Sequence, residues 1–308
     1  MPRKTTSSQS ESSEDRRSRF RPDPTGRIII GERDVSLLVD LYYHQVMSRH
    51  QIQELHFGSA PRCNSRLRLL YDHKFVSRTF PDESPYGSQA VYTLGLSAAS
   101  LVSTETGIPI PEVRKRCRSA TPTFLDHALK TTDFYLSVRS AAVATGVSVD
   151  LWLPETRCRH EYDIRRGTGG LWTREVFKPN GFFRLDTTRE AASSTVQFAS
   201  FFIETDLGHT SSAQFQGKVA SYRRYRESGL FDEVYGDTGF RTLVVTTGAH
   251  RLENLQSLAA KDGEGYWWFT TFEAVAEKGP LDPIWTALSV ANPVGLLDLF
   301  GYTIGDLL

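Results

Sequence analysis

The chain has 308 residues, with 36 basic and 36 acidic side chains, so its net charge is zero and nothing global marks it as a polyanion binder. Hydrophobic residues make up 39 % and charged residues 23 %, a globular balance that excludes fibrous and low-complexity classes. Its three cysteines, Cys63, Cys117 and Cys158, are far apart and lack C-x-x-C spacing, which argues against a disulfide framework or cysteine-rich zinc site and fits a reducing cytoplasm.

At about 150 residues per domain the length predicts two domains. No apolar run reaches the roughly 18 residues a membrane span needs, and the N-terminus has no secretory h-region, so the expectation is a cytoplasmic chain with no membrane partner.

Residues 1–26 are rich in Ser, Arg, Glu and Pro with little to bury, and read as a disordered tail. Its Arg16, Arg17, Arg19 and Arg21 could touch phosphate, but Glu11, Glu14 and Asp15 dilute them. From Gly31 the spacing of Val35, Leu38, Val39, Tyr42 and Val46 predicts a helix. Ser48 with Gln51 forms a capping-box pattern that opens a second helix, with Ile52 and Leu55 inward. A third helix follows over 61–73, with Pro61 at an allowed first-turn position and Cys63, Leu67, Leu70 and Tyr71 as its buried stripe. Phe75–Arg78 and Ala90–Leu94 alternate as strands around a turn-rich loop from Pro81 to Gln89, and residues 97–105 read as a short helix.

That order predicts a winged helix-turn-helix over 27–106. The third helix keeps Arg62, Asn64, Ser65, Arg66 and Arg68 off its apolar stripe. These side-chain types can reach base edges, while Lys74 and Arg78 suit phosphate. Between Arg62 and Arg78 five basic residues face one acidic residue, Asp72. The competing reading of the same stretch is a solvated basic face used for protein contacts. Residues 107–123, with three prolines and the basic run Arg114, Lys115, Arg116 and Arg118, read as an interdomain linker.

Residues 124–308 read as α/β. The pattern predicts a helix over 124–145; strands at 147–153, near 171–177 and at 182–185; a strong strand over 196–205; and a helix over 211–227. A buried strand at 241–247, a helix at 249–261 and an aromatic strand at 266–269 follow. Residues from Asn292 onward look like a docked apolar terminus. The element order contains the αβββαβ core of restriction-endonuclease-like nucleases. In that fold a pair of strand carboxylates holds Mg²⁺, and a lysine two residues beyond the second orients water. Here Asn180 stands where the first carboxylate belongs, Glu204 where the second belongs, and Asp206 where the lysine belongs.

Lys218 could supply an ammonium from the following helix, and Glu155 and Asp186 further carboxylates. Against catalysis, Glu204 and Asp206 share one strand face, and Lys218 and Arg223 could simply pair with them. His127 reads as a hydrogen-bonded core histidine. His160, His209 and His250 lack metal-ligand spacing, and Gly167–Gly170 reads as a hairpin loop rather than a phosphate loop.

Several stretches together resemble the replication-relaxation family of bacterial plasmids and mobile elements. They are Leu37–Phe57, Arg66–Val76, Tyr92–Gly95, His127–Phe134, Phe201–Gly208, Lys218–Tyr222 and Leu243–Thr247, spread across most of residues 33–250. The resemblance implies an N-terminal winged helix, a C-terminal nuclease-like domain and a role in replication or DNA relaxation. It also implies Asp at the position of Asn180, so this chain departs from the pattern there while keeping Glu204, Asp206 and Gly208.

The expectation is therefore an α+β, double-stranded-DNA-binding protein. Arg62, Asn64, Ser65, Arg66, Arg68, Lys74 and Arg78 form its interface, its nuclease-like domain is inactive, and it needs no cofactor. A homodimer and replication or mobilisation proteins are further candidate partners. One alternative is a Mg²⁺-dependent nuclease or nickase, with Glu204 and Asp206 holding the metal and Lys218 assisting. Another is a protein-interaction adaptor.

Overall fold

A computed structural model describes residues 21–298 except Thr25, 81–88, 118–121, 166–169, 187–197, 238, 263–264 and 289. The readings of residues 1–20, the loop 81–88, the glycines 167–169 and the loop through Ser193 and Ser194 lie outside the described residues.

The N-terminal half runs α1 (Glu32–His44), β1 (Met47–Ser48), α2 (Arg49–His56), α3 (Ala60–Asp72), β2 (Val76–Thr79), β3 (Val91–Leu94), α4 (Ala99–Thr106) and α5 (Ile110–Arg116). The three strands form one antiparallel sheet in the order β1-β3-β2. The capping box behaves as its spacing predicts: Gln51 N donates to Ser48 Oγ at 3.2 Å and Ser48 N to Gln51 Oε1 at 2.8 Å. Cys63, Leu67 and Leu70 of α3 are fully buried against Leu37, Leu38 and Leu41 of α1.

Gly95 allows β3 to turn tightly beneath the end of α3, because a Cβ there would lie 2.3 Å from the Lys74 carbonyl oxygen. The stretch expected to be a linker instead holds α5. Its Val113 is fully buried in the N-terminal core, and Pro111 sits in the first turn, where its missing N–H costs nothing.

The C-terminal half runs α6 (Pro122–Thr145), β4 (Ser148–Pro154), β5 (His160–Arg165), β6 (Trp172–Phe177), β7 (Gly181–Asp186), β8 (Phe198–Asp206), α7 (Ser212–Glu227), α8 (Leu230–Tyr235), β9 (Arg241–Thr246), α9 (Ala249–Ala259), β10 (Trp267–Thr271), α10 (Phe272–Lys278) and β11 (Thr286–Ala287). Six strands make one mixed sheet, ordered β11-β10-β9-β8-β7-β4. Strands β8, β9 and β10 are parallel, and β7 is antiparallel to both its neighbours. The strand expected near 171–177 is not part of this sheet: as β6 it pairs, among the described residues, with β5 alone, in a separate hairpin.

Strand β8 is buried on both faces, which explains its apolar run from Phe198 to Ile203, interrupted by Ser200 alone. Phe202 packs towards α7, α8 and α9, while Phe201 and Ile203 pack towards α6 and α10. Val294, Leu296 and Leu297, near the last of the described residues, dock on the second face; residues 299–308 lie outside the described residues. The protein is thus a mixed α+β chain. Among the described residues no helix is long and apolar enough to cross a membrane.

Helix α6 joins the halves. Leu125 and Leu129 pack on Val46 and Val91. Gln51 Nε2 donates to the Leu129 carbonyl at 2.8 Å and to Asp133 Oδ1 at 2.7 Å, and His44 Nδ1 lies 3.0 Å from Thr132 Oγ1.

Candidate functional site

Two places gather the side chains singled out from the sequence. The first is the outer face of α3. Its apolar stripe turns inward, which leaves Arg62, Asn64 and Ser65 exposed, with Lys74 exposed just past its end. Arg62, Ser65 and Arg66 join Arg33 of α1 in lining an open depression of about 470 Å³. Arg33 was not foreseen, because nothing in the periodicity of α1 says that its first turn abuts α3.

Arg66 and Arg68 stand apart from the other residues of the expected interface. Arg66 Nε donates to Asp34 Oδ1 at 2.8 Å, and Nη2 donates to Asp34 Oδ2 at 2.5 Å and to the Ile29 carbonyl at 2.7 Å. Asp34 is 3 % exposed. Burial pushes its carboxyl up, but the Arg66 and Gly31 hydrogen bonds outweigh that and hold it below the ordinary range. Arg68 Nε donates to Asp72 Oδ2 at 2.9 Å, one turn on. Arg78 lays its guanidinium 4.3 Å from the centre of the Tyr71 ring.

The second place is the C-terminal end of β8, where Glu204 and Asp206 point to the α7/α9 side. Both are buried, 3 % and 5 % exposed. Glu204 accepts a short hydrogen bond from Lys218 Nζ and another from Tyr222 OH at 2.9 Å. Asp206 accepts from Arg251 Nε and Nη2 at 2.8 and 2.9 Å and from Thr246 Oγ1 at 2.8 Å. Burial raises the Asp206 pKa, but the Arg251 and Thr246 hydrogen bonds and the Arg251 charge outweigh it, so the group lies below the ordinary carboxylate range.

Of the two cations expected to pair here, Lys218 does so, while Arg223 lies exposed on α7. Arg251 went unforeseen, although the topology carries the signal. In a parallel pair both strands end on the same side, Asp206 sits opposite Thr246, and α9 begins three residues later.

Asn180 Oδ1 accepts from Thr205 N at 2.8 Å and lies 3.2 Å from His127 Nε2. The amide therefore pins the start of β7 to β8 and α6. Glu155 pairs with Lys178 at 2.8 Å. Asp186 is not at this site: it lies opposite Phe198, at the other end of β7 from Gly181 and Ile203.

A Mg²⁺ ion does not fit this donor set, because Glu204 and Asp206 each already meet a cation and an engaged amide, Asn180, stands at the position of the first carboxylate. Among the described residues no group of three or more His, Cys, Asp or Glu side chains could hold a metal. His160 hydrogen-bonds Tyr235 OH at 2.9 Å, while His209 and His250 are exposed.

No curated protein and no solved structure matches the chain. The family model described as replication-relaxation matches residues 38–239, a span that takes in both the α3 face and the β8 carboxylates, and the chain belongs to the replication-relaxation family.

Proposed function

We propose that the protein binds double-stranded DNA through α3 in the replication or relaxation of a plasmid or mobile element, with its C-terminal half serving as a non-catalytic, nuclease-like platform. The observation that carries this reading is the exposed Arg62, Asn64 and Ser65 face beside Arg33, which among the described residues stands outside the ion pairs that occupy Arg66 and Arg68. The order of α1, α2, α3 and two further strands, with the sheet order β1-β3-β2, supports a winged helix that presents α3 to a major groove. The run β4-β7-β8-β9-β10, antiparallel only at β7, supports a restriction-endonuclease-like lineage. The neutralised carboxylates support loss of that chemistry, as a fold outlives its activity.

Lys74 and Arg78 flank α3 and suit phosphate contacts, which give most of the affinity and make it salt-dependent. The test is binding of the full chain to labelled duplex at two salt concentrations, beside Arg62→Ala. The expected result is binding that weakens steeply with salt and falls by about 1–3 kcal/mol in the variant. Salt-independent binding, or no binding at all, overturns the reading in favour of a protein-interaction adaptor.

A further inference from the structure

A groove of about 550 Å³ opens between the halves, walled by α1, α6, β4 and the turn after β4. That volume lies within the range of small-molecule sites, roughly 300–1,000 Å³. Neither half makes the groove alone. Tyr43 comes from α1; Tyr135, Arg139 and Val143 recur at four-residue spacing along one side of α6; Trp152 comes from β4 and Arg157 follows it.

The lining has two chemistries side by side. Tyr135 and Trp152 stack with ring centres 4.3 Å apart and planes 24° apart. Val143, 77 % exposed, extends this wall to the rim. Against it stand two exposed guanidinia. Arg157 lies 4.9 Å from the centre of the Tyr43 ring, and neither Arg139 nor Arg157 forms an ion pair among the described residues. The one acidic group in the lining, Asp40, has its Oδ2 3.0 Å from His56 Nε2 of α2. His44 does not supply a cation, since burial lowers its pKa to about 4.

A bare inorganic anion would leave the aromatic wall unused. A neutral apolar ligand would leave two cations uncompensated. A planar heterocycle carrying phosphate uses both, because the edges of the stacked Tyr135 and Trp152 rings accept a base while guanidinia pair with phosphate.

We infer that this groove binds a nucleotide, with its base against Tyr43, Tyr135 and Trp152 and its phosphate on Arg139 and Arg157. The same chemistry is offered by a free mononucleotide and by an unstacked nucleotide of a DNA strand. The site is separate from the α3 face, so it stands or falls independently of duplex binding there.

The test is titration calorimetry of the full chain with AMP, with an eight-nucleotide thymidine single strand, and with adenosine and inorganic phosphate separately. AMP or the single strand should bind, with adenosine and phosphate each about tenfold weaker or worse. Arg139→Ala/Arg157→Ala should weaken the nucleotide by about tenfold or more, with duplex affinity and melting temperature unchanged. AMP binding as tightly as the strand would identify a free nucleotide as the ligand, and a much tighter strand would identify DNA. No binding of AMP or strand at millimolar concentration overturns the inference, as does binding that survives intact in the double variant. A parallel Arg62→Ala sample should keep nucleotide binding whatever happens to its duplex binding.

Discussion

Arg251 grips both carboxylate oxygens of Asp206, Nε to Oδ2 at 2.8 Å and Nη2 to Oδ1 at 2.9 Å, and the same guanidinium holds the Thr210 carbonyl at 2.6 Å. One side chain thus ties the end of β8 and the turn that follows it to α9. Arg251→Ala leaves a nearly solvent-free carboxylate with no cation. The expected cost is about 3–5 kcal/mol, read from the urea midpoint. The Asp206 pKa is lowered in the folded state. Its stabilisation is therefore complete above the unfolded value of about 4 and is lost as pH falls through the lowered folded value. The variant should show a shallower acid limb. An unchanged midpoint would mean that Asp206 is solvated in solution.

The platform reading predicts no chemistry at this end of the sheet. Supercoiled plasmid incubated with the protein and Mg²⁺ or Mn²⁺ should stay intact, and so should plasmid with Asn180→Asp. Restoring that carboxylate leaves Glu204 on Lys218 and Asp206 on Arg251. Metal-dependent nicking that disappears in Glu204→Ala would reinstate the nuclease.

Arg62 and Arg66 should separate binding from folding. Arg66→Ala strands the buried Asp34 carboxylate, so its melting temperature should fall, with a cost of about 3–5 kcal/mol. Arg62→Ala should leave the melting temperature within error while weakening the duplex complex. Equal loss of duplex affinity in both, with no thermal change in Arg66→Ala, would make Arg66 a DNA contact after all.

His44 sits where the halves meet, and burial lowers its pKa from 6.5 to about 4. The folded chain therefore favours the neutral ring. Stability is fully present above pH 6.5 and falls as pH drops towards 4, because the unfolded chain takes up a proton there. The expected loss across that window is about 3 kcal/mol. The part of it above pH 5 should vanish in His44→Asn, as followed by thermal melts at stepped pH. A variant with the same slope would place the titration elsewhere.

Gly95 answers to backbone, not to a yielding side chain. A Cβ there would lie 2.3 Å from Lys74 O and 2.7 Å from Phe75 C, so Gly95→Ala must push β3 away from the end of α3. The expected cost is about 2–3 kcal/mol, with duplex affinity falling alongside it. A neutral melt would show that the turn opens at no cost.

What the sequence made legible is what local pattern encodes. Ser48 and Gln51 are three residues apart, the α3 stripe recurs at helical spacing, and β8 is a single run. Glu204 with Lys218 was also readable, because a strand and the helix that follows it must pack together. The rest depends on distant chain. Asp206 and Arg251 are 45 residues apart, Asp34 and Arg66 are 32 apart, and nothing in either neighbourhood announces the other. The helix at Ile110 was hidden by its prolines, which read as a linker until Pro111 is recognised as a first-turn residue. The β5–β6 hairpin carried a strand signal without saying which sheet it would join.

Gln51 accepts from Ser48 N with one end of its amide and donates to Leu129 O and Asp133 with the other. The residue that completes the cap of the second helix is therefore also a rivet into the helix beneath the large sheet. A duplex seated on α3 would turn the whole molecule like the handle of a wrench. The azimuth of the sheet around the double helix would then be set by this amide together with the Leu125 and Leu129 contacts and the His44–Thr132 bond, so that whatever the far edge of the sheet meets is placed at a fixed angle along the bound site.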